Sequence, residues 1–427
     1  MLVLCFFCGL RYTLWHMATM TLSQELQWRG FINQTSLTDV AALDNKKWAF
    51  YNGYDASADS LTIGNLAAVM LDKCFIRHGS KALLLAGGAT SLIGDPGGKD
   101  SERLLQTEEE VEKNVSAVKI QLEQLFGEQV HLVNNLSWFK DRGVLDFLRD
   151  VGKYFSMTPL VQRDYIASRM NESGGGISYT EFSYTLLQGY DFLHLHRTYG
   201  VDLQLAGSDQ WGNALSGVEL VRKVTGDEVH ALTMPLIIDK STGKKFGKSE
   251  AGAIWLDANK TTVYQFYQFW LNVDDDSVGD YLKIFTELSK EQIGGTMTSF
   301  ERDKSGRLAQ KTLAYEVTKL VHGEEKVDAV KHATEVLFGE SDFFDLTKGE
   351  VELLMKELPT VKAEDNLAHT VVKAGLASSN TEAANFIDSG AIYINGQKAT
   401  LGTKVGFQKG NNLLRRGKNS FAIIENR

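Results

Sequence analysis

Apolar and polar positions follow two rhythms along this chain of 427 residues. Ala82 to Ala86 (ALLLA) is short and continuously apolar, as buried parallel strands are, and Lys47 to Tyr51 (KWAFY) and Val130 to Val133 read as further strands. Between them the period is helical. One helix is expected from about Gly64 to His78, apolar at Leu66, Val69, Met70 and Phe75. Another is capped by Thr107 with Glu110 and carries Val111, Val115, Val118, Leu122 and Leu125. A further capping box, Thr21 to Gln24, opens a short helix through Phe31. Strands alternating with helices predict a Rossmann-like parallel-sheet α/β domain over 21–240. Beyond it, 261–337 shows helical periods alone, so 241–340 is read as an α-helical domain. Residues 341–365, acidic and containing Pro359, read as a linker. The end, 366–427, reads as a small α+β unit in which Asn395-Gly396 marks a hairpin turn.

One stretch stands apart, Tyr179 to Asn213. Leu186, Leu187, Tyr190 and Leu193 recur at helical spacing, Val201 to Ala206 alternates as a strand, and Gly207-Ser208-Asp209 turns the chain. Ser208 or Asp209 is the expected cap of a helix starting near Gln210. Polar residues interrupt this apolar frame. Tyr184, Gln188 and Asp191 lie at i, i+4 and i+7, on one helix face, while Gln204, Asp209 and Gln210 arrive from the strand and turn. A buried carboxylate beside amides is costly unless something satisfies it. The choice lies between a structural hydrogen-bond network and a polar ligand site, and the ligand site is the better fit.

Composition narrows the picture. Hydrophobic residues at 43% and charged residues at 23% describe an ordinary globular protein with no membrane role. The net charge of −9 excludes a protein coated in basic residues, but Gly396 to Arg427 holds seven Lys or Arg against one acid, Glu425. Three cysteines, Cys5, Cys8 and Cys74, supply neither a disulfide framework nor a zinc set, which points to a reducing cytoplasm. His194 and His196 lack a third ligand, so no metal site is expected. The first sixteen residues are too short an apolar run to span a bilayer and lack the marks of a signal peptide. Residues 1–20 are read as an extension, with translation starting at Met17 or Met20. Two P-loop readings fail. Ser91 to Asp100 ends Gly-Gly-Lys-Asp without Ser or Thr, and Gly243 to Ser249 is one residue short between its glycines. Trp211 and the aromatic run Tyr264 to Trp270 are expected to be structural.

Several of these motifs, in this order, resemble the tyrosyl branch of the class I aminoacyl-tRNA synthetases. FSYTLLQGYDF followed by LQLAGSDQWGN resembles the core of the bacterial enzymes. Lys245-Phe246-Gly247-Lys248-Ser249 is similar to their KMSKS loop, and Asp55 to Asn65 to the segment ending in HIGH. Thr62 and Asn65 stand where that motif has its two histidines. The basic C-terminal unit resembles the S4 RNA-binding domain. The resemblance implies a homodimer that joins L-tyrosine to tRNA(Tyr), with ATP as Mg2+-bound substrate and no organic cofactor. It implies that Tyr51 and Asp191 hold the substrate phenol, and that Tyr184, Gln188 and Asp95 hold its ammonium. Gln210 would meet the tyrosyl group. Gly53, Asp55, Ser57, Gly64, Gly207 and Asp209 would form the ATP site with Lys248. Catalytic work would fall to Lys245, Lys248, Ser249, Thr62, Asn65, Lys99 and Arg103, and RNA contact to Lys398, Arg415, Arg416 and Lys418. Activation needs no general base, because the substrate carboxylate is already ionised. The alternative is a weakened or inactive tRNA-binding paralogue, which Thr62 and Asn65 favour. A different nucleotidyl-transferring α/β enzyme would lack the Tyr51 and Asp191 pair.

Overall fold

The computed structural model describes residues 20–95, 105–170, 176–238, 240, 243, 246, 248–249, 252–399 and 407–426. They divide into two compact units. One takes in the described residues of Met1–Ser57 and Leu71–Leu236, the other those of Ala58–Met70 and Ile237–Arg427.

Parallel strands dominate the first unit. β1 (Gln34–Thr35), β2 (Ala49–Asp55), β3 (Lys81–Gly87), β4 (Val130–Asn134), β5 (Leu203–Gly207) and β6 (His230–Met234) form one sheet in the order β1-β6-β5-β2-β3-β4. Only β1 runs antiparallel, on the β6 edge. From β2 the chain proceeds outward through β3 and β4, then returns to lay β5 and β6 on the other side. The topological switch therefore lies between β2 and β5, where open α/β sheets bind ligands. One face packs Tyr51, Leu83, Leu85 and Val133 against Phe192, Leu193 and Leu195 of the helix Tyr179–Tyr199. The Thr21 and Thr107 capping boxes form as the sequence predicts, opening the helices Leu22–Arg29 and Glu108–Phe126.

Five helices between Val263 and Phe338 make up much of the second unit. Lys248–Ser249 (β7) and Gly252–Ala253 (β8) form a short hairpin, so the second half of the KFGKS motif is strand rather than loop. The C-terminal sheet has the order β11-β10-β12-β13-β9, comprising β9 (Thr360–Lys362), β10 (Ile392–Ile394), β11 (Gln397–Lys398), β12 (Gly410–Arg416) and β13 (Ser420–Asn426). Asn395 and Gly396 both take positive φ, 48° and 78°, the backbone a two-residue hairpin demands.

The expected linker over 341–365 is ordered instead. It supplies the helix Lys348–Glu357 and β9, which lies parallel to β13. Glu350, Glu352 and Glu357 sit on that amphipathic helix, whose Leu354 enters a core with Ala333, Leu337, Phe343, Leu413 and Ile423. That shared core joins the helical segment to the terminal sheet. Among the described residues no helix is long and apolar enough to cross a membrane.

Candidate active site

The polar residues of the apolar frame converge at the switch point. Tyr51 on β2 lies in register with Gln204 on β5, so both side chains leave the same face of the sheet. The helix Tyr179–Tyr199, capped by Ser178, covers that face and brings Asp191 in behind Phe192, whose ring lies 5.2 Å from that of Tyr51. Asp191 is 1% exposed. Its carboxylate accepts from Asn135 Nδ2 at 3.1 Å and Trp138 Nε1 at 2.9 Å. Loss of water still outweighs these donors and lifts its pKa to about 7. Burial, and secondly the Asp191 charge, raise the Tyr51 phenol well above its ordinary value.

Three buried polar atoms here have no partner among the described residues: Tyr51 Oη, Gln188 Oε1 and Gln204 Oε1. Leaving each unsatisfied costs about 1–3 kcal/mol. A phenol with two amide oxygens and a neighbouring carboxylate suits a ligand that carries a hydroxyl and several N–H donors.

A second group lies at the strand ends. Gln210 Nε2 donates to Asp95 at 2.6 Å, and Asp55 accepts from Ser91 Oγ at 2.7 Å. Gly53 is exposed, and a Cβ built there meets no atom within 4 Å. Gly207 is filled differently: a Cβ would meet Asp209 Oδ1 at 2.7 Å, so that carboxylate folds back over the turn. Neither Ser208 nor Asp209 caps the following helix. Trp211–Thr225 starts from Gln210 without a side-chain cap, because Gln210 is turned toward Asp95. Ser57 is exposed, and its carbonyl accepts from Gln106.

In the second unit, Thr62 is bonded to Asn65. Thr62 N and Oγ1 both donate to Asn65 Oδ1, at 3.0 and 2.9 Å, at the start of the helix Ile63–Arg77. A Cβ on Gly64 would make ordinary contact with Thr62 Oγ1 at 3.5 Å, so protein packing alone does not require a glycine. Phe246, the second residue of the KFGKS motif, sits 4.3–5.7 Å from the rings of Phe269, Trp270, Tyr281 and Phe285. Lys99, Arg103 and Lys245 lie outside the described residues, and for Lys248 and Ser249 the backbone alone is described.

The basic C-terminal residues differ in availability. Lys398 and Lys418 are exposed. Arg415 lies 4.5 Å over the Tyr393 ring, and Arg416 donates to the Leu376 carbonyl at 2.7 Å. The same unit holds a cleft of about 1070 Å³ lined by Tyr264, Tyr267, Arg307, Lys311, Lys331 and Phe421. His194 stacks on Trp138 at 4.4 Å, and His196 bonds to the Val201 carbonyl and Asp227.

Sequence reasoning missed Asn135, Trp138 and Thr90, which surround Asp191 and its supports. Asn135 accepts from Ala89 N and donates to Thr90 Oγ1. Its one signal was its place, immediately beyond the carboxyl end of β4.

Such a socket, at the switch point of a parallel sheet, defines an α/β enzyme of the nucleotide-binding type. Comparison with known proteins gives the family. The profile of tRNA synthetases class I (W and Y) matches residues 43–339, and that of the tyrosine--tRNA ligase SYY-like C-terminal domain matches 350–424. The chain belongs to the class I tRNA synthetases (W and Y). It is 43% identical over 424 residues to tyrosine--tRNA ligase 2 of Bacillus cereus, covering 95% of this chain and 100% of that one. It is 44% identical over 421 residues to the tyrosine--tRNA ligase of Geobacillus kaustophilus, covering 95% and 99%. Among solved structures it resembles a C-terminally truncated mitochondrial tyrosyl-tRNA synthetase from Aspergillus nidulans. That match has a TM-score of 0.68 and 31% identity, and covers 75% of this chain and 95% of the other.

Proposed function

We propose that this synthetase activates L-tyrosine with ATP and transfers it to tRNA(Tyr). The observation that carries the reading is the trio of buried, unpartnered atoms on Tyr51, Gln188 and Gln204 beside Asp191. The substrate phenol pairs with Tyr51 and Asp191, while Tyr184, Gln188 and Asp95 take the ammonium. Asn135 and Trp138 keep Asp191 oriented. The substrate carboxylate then attacks the α-phosphorus of ATP, which forms tyrosyl-adenylate and releases pyrophosphate. A ribose hydroxyl of the terminal adenosine next attacks the tyrosyl carbonyl and releases AMP. Both steps rest on positioning and charge stabilisation rather than on a catalytic triad.

Magnesium enters as part of the ATP substrate, and no organic cofactor takes part. Gly53, Asp55, Ser57, Gly64, Gly207, Asp209 and Gln210 meet the adenylate. Lys99, Arg103, Lys245, Lys248 and Ser249 meet the phosphates, with Thr62 and Asn65. The terminal unit, 366–427, and the large cleft of the helical segment receive RNA. Exposed Val144, Leu145, Met157 and Tyr179 support a homodimer. We place the protein in the cytoplasm.

The test is amino-acid-dependent exchange of pyrophosphate into ATP. Strong exchange is expected with tyrosine and almost none with phenylalanine. Sites built around a hydroxyl, this enzyme class among them, reject the analogue that leaves their buried groups unpaired. The bonds that Thr62 donates to Asn65 Oδ1 favour a second reading, a tRNA-binding relative with weakened catalysis. No exchange from folded protein would select it.

A further inference from the structure

A single hydrogen-bonded chain enters the site from the side. Arg163 Nη1 donates to Asn213 Oδ1 at 3.3 Å and to Thr185 Oγ1 at 3.2 Å, and Thr185 Oγ1 itself donates to Asn213 Oδ1 at 2.8 Å. Asn213 Nδ2 donates to Gln210 Oε1 at 3.1 Å, and Gln210 Nε2 donates to Asp95 Oδ2 at 2.6 Å. Asn213 is 4% exposed, Thr185 1% and Asp95 9%. The guanidinium is fixed at its outer end by Ser216 Oγ and lies along Gly212, where a Cβ would meet Arg163 Nε at 3.3 Å.

The chain has a direction. Arginine has donors only and an ionised carboxylate has acceptors only, whereas each amide between them can point either way. With Arg163 at one end, Asn213 must present its oxygen outward and its nitrogen inward. Gln210 must then present its nitrogen to Asp95. Reversing either amide would face donor to donor at Arg163 or acceptor to acceptor at Asp95.

We propose that Arg163 is a positioning residue for the amino-acid subsite: through Asn213 it fixes the Gln210 amide and so holds the Asp95 carboxylate in the orientation that receives the substrate ammonium. This rests on the reading of Asp95 given above. Arg163 itself touches no substrate. It also lines a cavity of about 320 Å³ with Tyr154, Phe155, Gly212 and Ser216. A small cation can therefore reach the position its guanidinium occupies.

Arg163→Met keeps the aliphatic volume and removes every donor. It is expected to raise the KM for tyrosine in pyrophosphate exchange on the order of tenfold, the effect of one charge-assisted hydrogen bond. The KM for ATP should stay within about twofold, as the loss is confined to the ammonium subsite. Equilibrium dialysis with tyrosine alone should show the same weakening. Arg163→Ala should regain tyrosine affinity when methylguanidine is added. Asn213→Ala cuts the chain at its middle, and its loss should not add to that of Arg163→Met. Unchanged tyrosine affinity in Arg163→Met, an equal rise in both KM values, or additive losses would overturn the inference. Absence of exchange in the wild-type protein would instead sink the ligase reading, and dialysis would still report on the chain.

Discussion

Asp191 and Asp72 are both carboxylates stripped of water by folding, and among the described residues neither has a cation in its hydrogen-bonding shell. Asp191 leans on Asn135 and Trp138. Asp72 is fully buried and takes Tyr54 Oη at 2.6 Å and Asn52 Nδ2 at 2.9 Å, the two residues that flank Gly53 on β2. Burial lifts both pKa values to about 7 from a normal 3.8. Between about pH 4 and 7 the folded protein holds protons that the unfolded chain has released, so these groups make stability fall as pH rises. Each contributes roughly 1.4 kcal/mol per pH unit within that window. Above it the loss is complete and the slope vanishes. Thermal unfolding at pH 5, 6 and 7 should show a shallower decline in Asp72→Asn than in wild type; parallel curves would refute the assignment. At this scale the sequence was legible where a polar residue broke an apolar pattern, as at Gln188 and Asp191, whereas Tyr51 was singled out by resemblance alone. The sequence was silent on Asn135, Trp138 and Arg163. They lie at a strand end, on a short helix and in a turn, and apart from the place of Asn135 just beyond β4 nothing in their own segments marks them.

Phe246 anchors its segment to two helices. Its backbone N–H donates to the Ile237 carbonyl at 2.8 Å, and its ring fills an aromatic cage built by the helices Val263–Leu271 and Val278–Phe285. Farther along the same segment, Ile254 and Leu256 bond to Ile63 and Leu61, and Trp255 bridges to Thr62. The stretch that follows the KFGKS motif is thus joined by backbone pairing to the Asp55–Asn65 segment within one unit. Phe246→Ala should lower the urea-unfolding free energy by about 3 kcal/mol, the usual cost of deleting a buried phenylalanine. A change below about 1 kcal/mol would show that the cage does not hold the segment. Capping boxes and the Asn395-Gly396 turn were readable because their chemistry is local. The fold of 341–365 was not, since its strand exists only by pairing with β13, more than fifty residues later in the chain.

Taken whole, an acidic chain ends in a basic patch, and the structure separates the residues of that patch. Lys398 and Lys418 stand in solvent, whereas Arg416 is engaged by the Leu376 carbonyl and lies 5.0 Å from the Phe386 ring. Lys398→Ala and Lys418→Ala should each flatten the salt dependence of tRNA binding by about one unit of logarithmic slope. Arg416→Ala should mainly lower the melting temperature. Binding isotherms over a range of salt concentrations decide this, and an unchanged slope for both lysine variants would remove them from the RNA surface. The switch between β2 and β5 has one more consequence, for the order of synthesis. Tyr51 leaves the ribosome long before Gln204, its neighbour across the strands. Until β5 arrives, β2 is an open sheet edge and Tyr51 lacks Gln204 as its neighbour. A nascent chain halted before Leu203 therefore has every residue of β2 with one edge uncovered, and rapid completion or a chaperone is what keeps that edge from a neighbouring chain.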